Sequence, residues 1–373
     1  MFFKFVIFTS IIVLAFIYLV PMIFLSLPKP SGIYQVGVTE RKLLLERGEQ
    51  VGIRIWYPAS YNNQKSKRAP YHPSPIKDLK GMFNMPSFVF FFLKWIKTEA
   101  AENPPVAKQD ATFPVIIYSH GLVSKYIENS ALFLELASHG FVVASINHTF
   151  TFQKYDINPK EALQPNEAAI NKLLEELNHK VLPDQVEEQK MVIKYVNELN
   201  NNPTDLLYQQ LDTSRYCLMG HSYGGTVSTQ TAGHVHNVFA VINMDGPIYA
   251  PDSGNIDVPY LYLTSYSPEL SDEELKKKGT VPGFYRTLKR NELNSVKSLR
   301  INNAEKICIR LYTAGHLDLT DTPFVLPFLT TKGYDKHSGH KIKGELITTF
   351  LKQAYQQQAI KLPMDNKLIE KVN

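Results

Sequence analysis

The segment Gly220–Gly225, with the sequence Gly-His-Ser-Tyr-Gly-Gly, constrains the fold of this chain more than any other feature. The apolar run Tyr216–Met219 precedes it directly, and a helix-like stretch of small residues, Thr226–Ala232, follows it directly. This order of strand, sharp turn and helix is typical of a nucleophile elbow, a strained turn that exposes a serine hydroxyl. Glycines are expected at Gly220 and Gly224 because the strand and the helix pass too close there for a β-carbon.

Strand-like and helix-like segments alternate from Phe113 onward. Near-continuous apolar strands separated by helices predict an α/β fold with a mostly parallel sheet and helices on both faces. Two β-rich runs nearer the N-terminus, Gln35–Leu45 and Gln50–Tyr57, predict an antiparallel hairpin. The predicted strands after it are Phe113–Tyr118, Phe141–Asn147, Arg215–Gly220, Val238–Met244, Val258–Thr264 and Lys306–Tyr312, and the clearest predicted helices are Ser130–Ser138, Pro183–Asn200 and His340–Gln357.

The chain begins with an apolar segment. Phe5–Leu27 carries no charged residue and is long enough to cross the hydrocarbon core of a bilayer as a helix of about 20 residues. It ends without the small-residue cleavage site of a signal peptide. We therefore expect residues 1–27 to be an N-terminal transmembrane anchor, with a cleaved signal segment or a cytosolic protein as the alternatives. Residues 28–32 are expected to be a linker, and residues 33–373 one domain, extracytoplasmic if anchored and secreted if the segment is cleaved.

The composition excludes several classes of protein. The 373 residues carry a net charge of +5 with scattered lysines, so nucleic acid is not an expected partner. The two cysteines, Cys217 and Cys308, lie in apolar strand-like runs, and their number and spacing predict neither a zinc site nor a disulfide framework. The sequence contains no glycine-rich phosphate loop. We therefore expect no metal and no cofactor.

A second apolar segment, Met82–Lys97, is rich in phenylalanine and carries two lysines near its C-terminal end. It is too short to span a bilayer. One interpretation is a buried core helix. The other is an interfacial helix that places aromatic side chains in a membrane surface, which would make that surface a partner of the protein.

Ser222, at the centre of the predicted elbow, is a candidate nucleophile that needs a base and an orienting acid. In the α/β-hydrolase fold the order along the chain is serine, acid and histidine. His316 follows the predicted strand Lys306–Tyr312 and is therefore the candidate base. The competing histidines, His337 and His340, lie in a predicted polar loop with no strand to fix them.

Asp245 is the candidate acid. It follows the predicted strand Val238–Met244, and the carboxyl end of a parallel strand faces the edge of the sheet where ligands bind. Glu269, after the next predicted strand, is the alternative because α/β-hydrolases more usually place the acid there. Asp318 lies two residues from the candidate base and is expected to cap a local turn instead.

Two backbone N–H groups are candidates for stabilising an oxyanion. The N–H of Tyr223 lies at the N-terminus of the predicted helix, where the positive end of the helix dipole points outward. Leu122 follows Gly121 in the loop after the predicted strand Phe113–Tyr118. The glycine permits a tight turn that can bring the N–H of Leu122 to the same oxygen.

Five stretches together carry a resemblance to a known family. They are Tyr34–Gly37, Ile53–Pro58, Tyr118–Leu122, Ala137–Ala144 and Gly220–Gly225. In these stretches the chain resembles the platelet-activating-factor acetylhydrolases of the plasma and type II intracellular kind, a branch of the α/β-hydrolases also called lipoprotein-associated phospholipase A2. The resemblance extends from about Ile33 to about Phe350.

The resemblance implies an α/β-hydrolase fold and a calcium-independent serine esterase that removes short or oxidised acyl groups from the sn-2 position of phospholipids. It places Met82–Lys97 where the family has an interface-binding helix. The chain departs from the family pattern at Tyr223, where phenylalanine is usual, at Gly246-Pro247 and in its long N-terminal segment. The roles that it implies are nucleophile for Ser222, acid for Asp245, base for His316, and oxyanion donors for Leu122 and Tyr223.

Other functions are compatible with the same residues. One is a general short-chain carboxylesterase or polyester hydrolase of this fold. Another is a peptidase or acyltransferase that uses the same triad. A third is an inactive hydrolase fold that serves as a membrane-tethered binding module, although every residue that the chemistry requires is present.

Overall fold

Six parallel strands form the centre of the sheet in this protein. The structure is a computed structural model that describes residues 26–62, 66–72, 92–158, 161, 167–247, 256–266, 271–277, 282, 299, 301 and 304–372. Its strands are β1 (Gln35–Leu44), β2 (Gln50–Ala59), β3 (Arg68–Pro70), β4 (Lys97–Glu102), β5 (Phe113–Ser119), β6 (Val142–Asn147), β7 (Leu211–His221), β8 (Val238–Met244), β9 (Tyr260–Thr264), β10 (Lys306–Leu311) and β11 (Ile369–Lys371). Its α-helices are α1 (Ser130–Ser138), α2 (Glu167–Glu176), α3 (Leu182–Asn201), α4 (Tyr223–Ala232), α5 (Asp272–Lys277), α6 (Thr322–Val325) and α7 (Lys336–Tyr355), with a π-helix at Leu177–Val181 and 3-10 turns at His316–Leu319 and Pro327–Leu329.

The described strands are ordered β11-β10-β9-β8-β7-β5-β6-β2-β1-β4-β3 across one sheet. The strands β10, β9, β8, β7, β5 and β6 run parallel to one another, and β11 pairs antiparallel with β10. β1 and β2 form the predicted antiparallel hairpin, and β2 pairs antiparallel with β6. The predicted α/β fold with a mostly parallel sheet is therefore confirmed.

Alternate residues of the central strands enter two separate apolar cores. On β5, Ile116 and Tyr118 pack on one face with α1 and α7. Val115 and Ile117 pack on the other face with α3. Successive side chains of a strand point to opposite faces, so a sheet with helices on both faces needs strands that are apolar throughout.

The direction in which successive strands are added to the sheet reverses at β5. From β5 the chain passes through α1 to β6 on one side, and it later returns to β7 on the other side of β5. A crevice forms outside the carboxyl ends of the strands at such a point, and α/β proteins bind their ligands there. Ser119 ends β5 and His221 ends β7, so these residues mark the two sides of the crevice.

Helix α7 begins at Lys336, four residues before the predicted start. The Asp335 carboxylate accepts a hydrogen bond from the backbone N–H of His337 (3.1 Å), which is the usual N-cap arrangement. His340 is buried, with its ring 5.7 Å from that of Phe324. The prediction that His337 and His340 lie in a polar loop is therefore wrong, because the capped helix includes both.

The predicted anchor, residues 1–27, lies outside the described residues except for its last two positions. The second of these, Leu27, is buried in the core that contains α1 and α7. No helix within the described ranges is both long enough and apolar enough to cross a membrane. The predicted linker is held against α1, because the N–H of Ser31 donates to the Glu135 carboxylate (2.8 Å) and that of Gly32 to the Ser138 hydroxyl (3.0 Å).

Most of the segment Met82–Lys97 also lies outside the described residues. At its described end, Phe92 and Leu93 are buried in the core, whereas Trp95 is 42% exposed. Lys97 already belongs to β4. Ile96 is buried in the same core, so the described end packs three side chains into the domain and presents the ring of Trp95 partly to solvent.

Candidate active site

Ser222 lies on the sharp turn between β7 and α4. Its backbone has φ 53° and ψ −128°, a conformation that is costly for any residue with a β-carbon. A β-carbon on Gly220 would overlap the backbone carbonyl of Gly224, and one on Gly224 would overlap the carbonyl of Ser119. The predicted strand–turn–helix geometry and its requirement for these two glycines are therefore confirmed.

The structure brings Ser222, His316 and Asp245 into one hydrogen-bonded row. His316 Nε2 lies 3.0 Å from Ser222 Oγ, and His316 Nδ1 lies 2.6 Å from Asp245 Oδ2. The three residues follow β7, β10 and β8, so they meet at the carboxyl edge of the sheet. An ionised carboxylate can only accept, so Nδ1 carries a proton and, in a neutral ring, the lone pair of Nε2 faces the serine hydroxyl.

Asp245 has further hydrogen-bond donors at the end of β9. The backbone N–H of Ser265 donates to Oδ1 (2.9 Å) and its hydroxyl to Oδ2 (2.6 Å), while the hydroxyl of Thr264 donates to Oδ1 (3.1 Å). Burial raises the pKa of the Asp245 carboxyl, but the hydrogen bonds and charge of His316 and the bonds from Ser265 lower it more. The net pKa lies well below its usual range, so Asp245 is ionised at neutral pH.

Asp318, His337 and His340 do not contact the reacting groups in this way. Asp318 accepts hydrogen bonds from the backbone N–H of Gly315 (2.7 Å) and of Thr331 (3.3 Å), so it caps its own turn as its position predicts. Glu269 lies outside the described residues. His337 and His340 belong to α7, where both rings pack against that of Phe324.

The two candidate oxyanion donors come from elements that meet at Ser222. Tyr223 is the first residue of α4, and the N–H groups of a first helical turn have no carbonyl partner within their own helix. Leu122 lies in the loop after β5 and lines the same cavity as Ser222. This loop approaches closely, because a β-carbon on Gly121 would lie 3.4 Å from the Ser222 β-carbon. The loop and the helix start therefore border the space next to the serine hydroxyl.

A cavity of about 380 Å³ opens at Ser222 and His316. Two of its lining residues, Val123 and Leu317, are 48% and 42% exposed. A mostly apolar cavity with a few polar groups is typical of a small-ligand site. No three His, Cys, Asp or Glu side chains among the described residues are grouped so that they could hold a metal ion. The apolar side chains in the wall include Leu93, Leu122, Ile127, Val325 and Leu326, and the charged ones are Lys125 and Glu128.

A second row of serine, histidine and carboxylate is buried behind the loop after β5. Ser119 Oγ lies 2.9 Å from His148 Nε2, and His148 Nδ1 lies 2.7 Å from Glu188 Oε2. The backbone N–H of His148 donates to His120 Nε2 (3.2 Å). These hydrogen bonds therefore hold Ser119 and His120, the two residues that precede Gly121. The sequence pattern does not identify this row, because Glu188 lies on α3 and only the packing of that helix brings it to β5 and β6.

An α/β sheet with a hydrogen-bonded serine, histidine and aspartate at the carboxyl ends of its strands has the arrangement of a serine hydrolase. The protein belongs to that class of enzyme. The sequence profile of the family described as platelet-activating factor acetylhydrolase, isoform II, matches residues 24–358. The chain therefore belongs to this family, as the resemblance predicted.

Individual relatives agree with the family match. The platelet-activating factor acetylhydrolase of Cavia porcellus is 26% identical over 298 residues, which cover 73% of this chain and 67% of the relative. That of Gallus gallus is 25% identical over 359 residues, or 86% and 78% of the two chains. That of Canis lupus familiaris is 25% identical over 235 residues, or 55% and 51%. The matched regions therefore range from about half to about three quarters of these relatives.

A solved structure shares the fold. A ferulic acid esterase from Streptomyces cinnamoneus superposes with a TM-score of 0.66 and a sequence identity of 16%. The superposition covers 94% of this chain and 100% of the esterase chain. At this identity the likeness establishes the common fold.

Proposed function

We propose that the protein is a calcium-independent serine esterase that hydrolyses short or oxidised acyl groups at the sn-2 position of phospholipids. Ser222 is the nucleophile, His316 the base and Asp245 the acid that orients it. The observation that carries this proposal is the hydrogen-bonded row from Asp245 through His316 to the Ser222 hydroxyl.

In the first half of the reaction Ser222 Oγ attacks the ester carbonyl carbon, and His316 Nε2 takes the hydroxyl proton. The carbonyl oxygen becomes an oxyanion, which the backbone N–H groups of Leu122 and Tyr223 stabilise. The bond to the glycerol oxygen then breaks, and His316 gives its proton to that oxygen. The lysophospholipid leaves and the acyl group remains on Ser222.

In the second half a water molecule attacks the acyl-enzyme. His316 takes a proton from the water, and the same N–H groups stabilise the second oxyanion. The bond to Ser222 Oγ breaks, the serine regains its proton from His316, and the carboxylic acid leaves. Asp245 remains ionised throughout and stabilises the imidazolium that forms twice in each cycle.

A lipid ester is favoured over a soluble ester by the family and by the cavity. Relatives that match over most of this chain are named platelet-activating factor acetylhydrolases. The cavity wall is mostly apolar, and Val123 and Leu317 present partly exposed apolar side chains in it. Such side chains suit contact with acyl chains at a lipid surface.

We also propose that the enzyme is located at a membrane. The hydrolase domain of residues 33–373 is preceded by residues 27–32, which pack against it, and the apolar residues before Leu27 anchor it to a membrane with the domain on the extracytoplasmic side. The uncharged run Phe5–Leu27 supports the anchor. Retention of the full chain in membranes after alkaline extraction is the measurement that checks it, and complete release would contradict it.

One experiment on the full chain tests the proposed chemistry and substrate. Hydrolysis of sn-2 acetyl phosphatidylcholine is compared with that of the sn-2 long-chain lipid, both in excess chelator, and labelling by a fluorophosphonate probe is followed in parallel. We expect turnover of the acetyl lipid without calcium, little turnover of the long-chain lipid, and no labelling of Ser222→Ala. Equal rates on both lipids would contradict the short-acyl assignment, and a calcium requirement or labelling of the variant would contradict the mechanism. Turnover of soluble acetyl esters alone would favour a general short-chain carboxylesterase.

A further inference from the structure

Glu128 is a buried carboxylate in the cavity wall that the reaction above does not use. Its Oε1 accepts hydrogen bonds from the hydroxyl of Tyr118 (2.7 Å) and from the backbone N–H of Gly121 (3.1 Å). Gly121 directly precedes Leu122. The Glu128 side chain therefore fixes the loop that carries one of the proposed oxyanion donors.

The same carboxylate oxygen faces His221, the residue before the nucleophile. His221 Nδ1 lies 3.6 Å from Glu128 Oε1, and His221 Nε2 lies 3.1 Å from the backbone oxygen of His316. A carbonyl oxygen can only accept, so His221 Nε2 carries a proton and donates a hydrogen bond to the His316 carbonyl oxygen. The rings of His221 and His316 also lie together, with centroids 4.7 Å apart. The His221 ring therefore lies between the Glu128 carboxylate, which faces its Nδ1, and the backbone of the base, to which its Nε2 is hydrogen-bonded.

The main chain of Glu128 adds a third connection. Its carbonyl accepts a hydrogen bond from the N–H of Asp321 (2.7 Å), just beyond the 3-10 turn that His316 begins. Burial raises the pKa of the Glu128 carboxyl. The charge and hydrogen bond of His221, with smaller contributions from His120 and Ser124, lower it to about 2. The carboxylate is therefore ionised at neutral pH. Glu128 bonds the loop of Gly121 through its carboxylate and Asp321 through its main chain, and its carboxylate faces the His221 ring at 3.6 Å.

We propose that Glu128, acting with His221, is a positioning residue. It holds the loop that carries Leu122, and the base His316, in their places beside Ser222. The proposal rests on the proposed function, because it assigns a role in that reaction. Small displacements of reacting groups cost large factors in rate, on the order of 100-fold for 1 Å. The groups that Glu128 orders act on the transition state, so its loss lowers kcat while KM changes little.

The test uses the full chain and a soluble acetyl ester, p-nitrophenyl acetate, with kcat expressed per site titrated by a fluorophosphonate. Glu128→Gln keeps the shape and one acceptor but removes the charge that faces His221, and we expect kcat to fall about tenfold. Glu128→Leu removes the acceptor as well, and we expect a fall of about 100-fold. Because the two residues act as a unit, His221→Gln combined with Glu128→Gln should cost no more than the worse single change.

Glu135→Gln is the matched control, since Glu135 is also a glutamate whose pKa is lowered to about 2 but contacts Ser31 and His139 instead of the site. Its kcat per titrated site should equal that of the wild type. A Glu128→Gln enzyme with wild-type kcat, or additive losses in the double variant, would overturn the proposal. So would a rise in KM for p-nitrophenyl acetate without a fall in kcat, which would make Glu128 a substrate contact. Wild-type protein that neither reacts with the probe nor turns over ester would overturn the proposed function instead.

Discussion

At the scale of single residues, Asp245 determines which nitrogen of His316 faces the nucleophile. It accepts the hydrogen bond from Nδ1 at 2.6 Å and is itself held by Ser265. Asp245→Asn keeps the shape of the side chain, but its amide favours the other tautomer of the ring. We expect kcat on a soluble ester to fall by about 10⁴ with little change in KM. Steady-state kinetics with fluorophosphonate-titrated enzyme is the measurement.

A suitable control for this change is Asp335→Asn. Asp335 is exposed at the start of α7, and asparagine is as good an N-cap residue as aspartate. Its turnover should match that of the wild type. If Asp245→Asn retained activity within about tenfold of the wild type, far from the loss expected for a triad acid, the acid would have to be sought elsewhere, with Glu269 as the first candidate.

The order of Ser222 and His316 along the chain and their places after strands predict these two residues. The same reasoning leaves Glu269 as an alternative to Asp245, and the structure places Asp245 beside His316. The roles of the three residues in the reaction stay predictions, whereas their hydrogen-bond distances are features of the structure. Ser265 and Glu128 are not predictable in the same way. Each becomes significant only because an element distant in sequence packs against it, and no local pattern marks either residue.

At the scale of secondary structure, the contact between β5, β7 and α4 determines whether the elbow can form. A β-carbon on Gly224 would overlap the carbonyl of Ser119, and a backbone atom cannot move aside as a flexible side chain can. We expect Gly224→Ala to destabilise the protein by about 1–3 kcal/mol, as overpacking does, and to lower kcat because Ser222 shifts. Urea unfolding and ester kinetics measure the two effects.

Gly52→Ala provides the comparison for that variant. Gly52 lies on β2, where the nearest atom to an added β-carbon would be the β-carbon of Asn147 at an ordinary 3.5 Å. We expect its urea midpoint and its kcat to match those of the wild type. Equal stability of Gly224→Ala and Gly52→Ala would show that the elbow tolerates a β-carbon and would contradict the close-packing argument.

The long strands and helices are predictable because each is apolar over a length typical of its type, as β5 and β8 are. The short strands are not. β4 has the sequence Lys-Thr-Glu-Ala-Ala-Glu, which favours a helix by composition, yet it pairs with β1 and β3 and buries Ala100 and Ala101. Tertiary pairing overrides local preference there. The predicted start of α7 is four residues too late for a similar reason. The polar composition around Asp335 favours a loop, but the hydrogen bonds of the Asp335 cap stabilise a helix there.

At the scale of the whole molecule, the chain enters the domain at one edge of the sheet and the site lies at the other. Gln35 pairs with Ala59 at the end of β2. β2 runs antiparallel to β6 and ends near the amino end of that strand. Ser222, in contrast, follows the carboxyl end of β7, which is parallel to β5 and β6. The hydrogen bond from Ser31 to the Glu135 carboxylate therefore contributes to the stability of the domain without contacting the reacting groups.

Three ionised carboxylates hold elements of the molecule together: Glu128, Glu135 and Glu188. Burial raises the pKa of each, but the hydrogen bonds and charges of their partners, chiefly His221, His139 and His148, lower it from 4.5 to about 2. A group whose pKa is lower in the folded protein contributes stability above its unfolded pKa and loses it as the pH falls toward the folded pKa. Each shift corresponds to about 3 kcal/mol at most. Stability should therefore fall steeply between about pH 4 and pH 2.

Urea unfolding at pH 5, 4, 3 and 2 measures this loss, and we expect the midpoint to fall most across the last two steps. Burial raises the pKa of Asp321 to about 8, so the effect of this carboxyl on stability has the opposite sign. That effect changes mainly above pH 3.8, the usual pKa of the group, and therefore does not offset the loss of stability at lower pH. Glu135→Gln removes one of the three carboxylates, so its midpoint should be lower at pH 5 and fall less between pH 4 and pH 2. A midpoint that stays constant down to pH 2, or a variant with the same slope as the wild type, would mean that these carboxylates do not stabilise the fold through their charge.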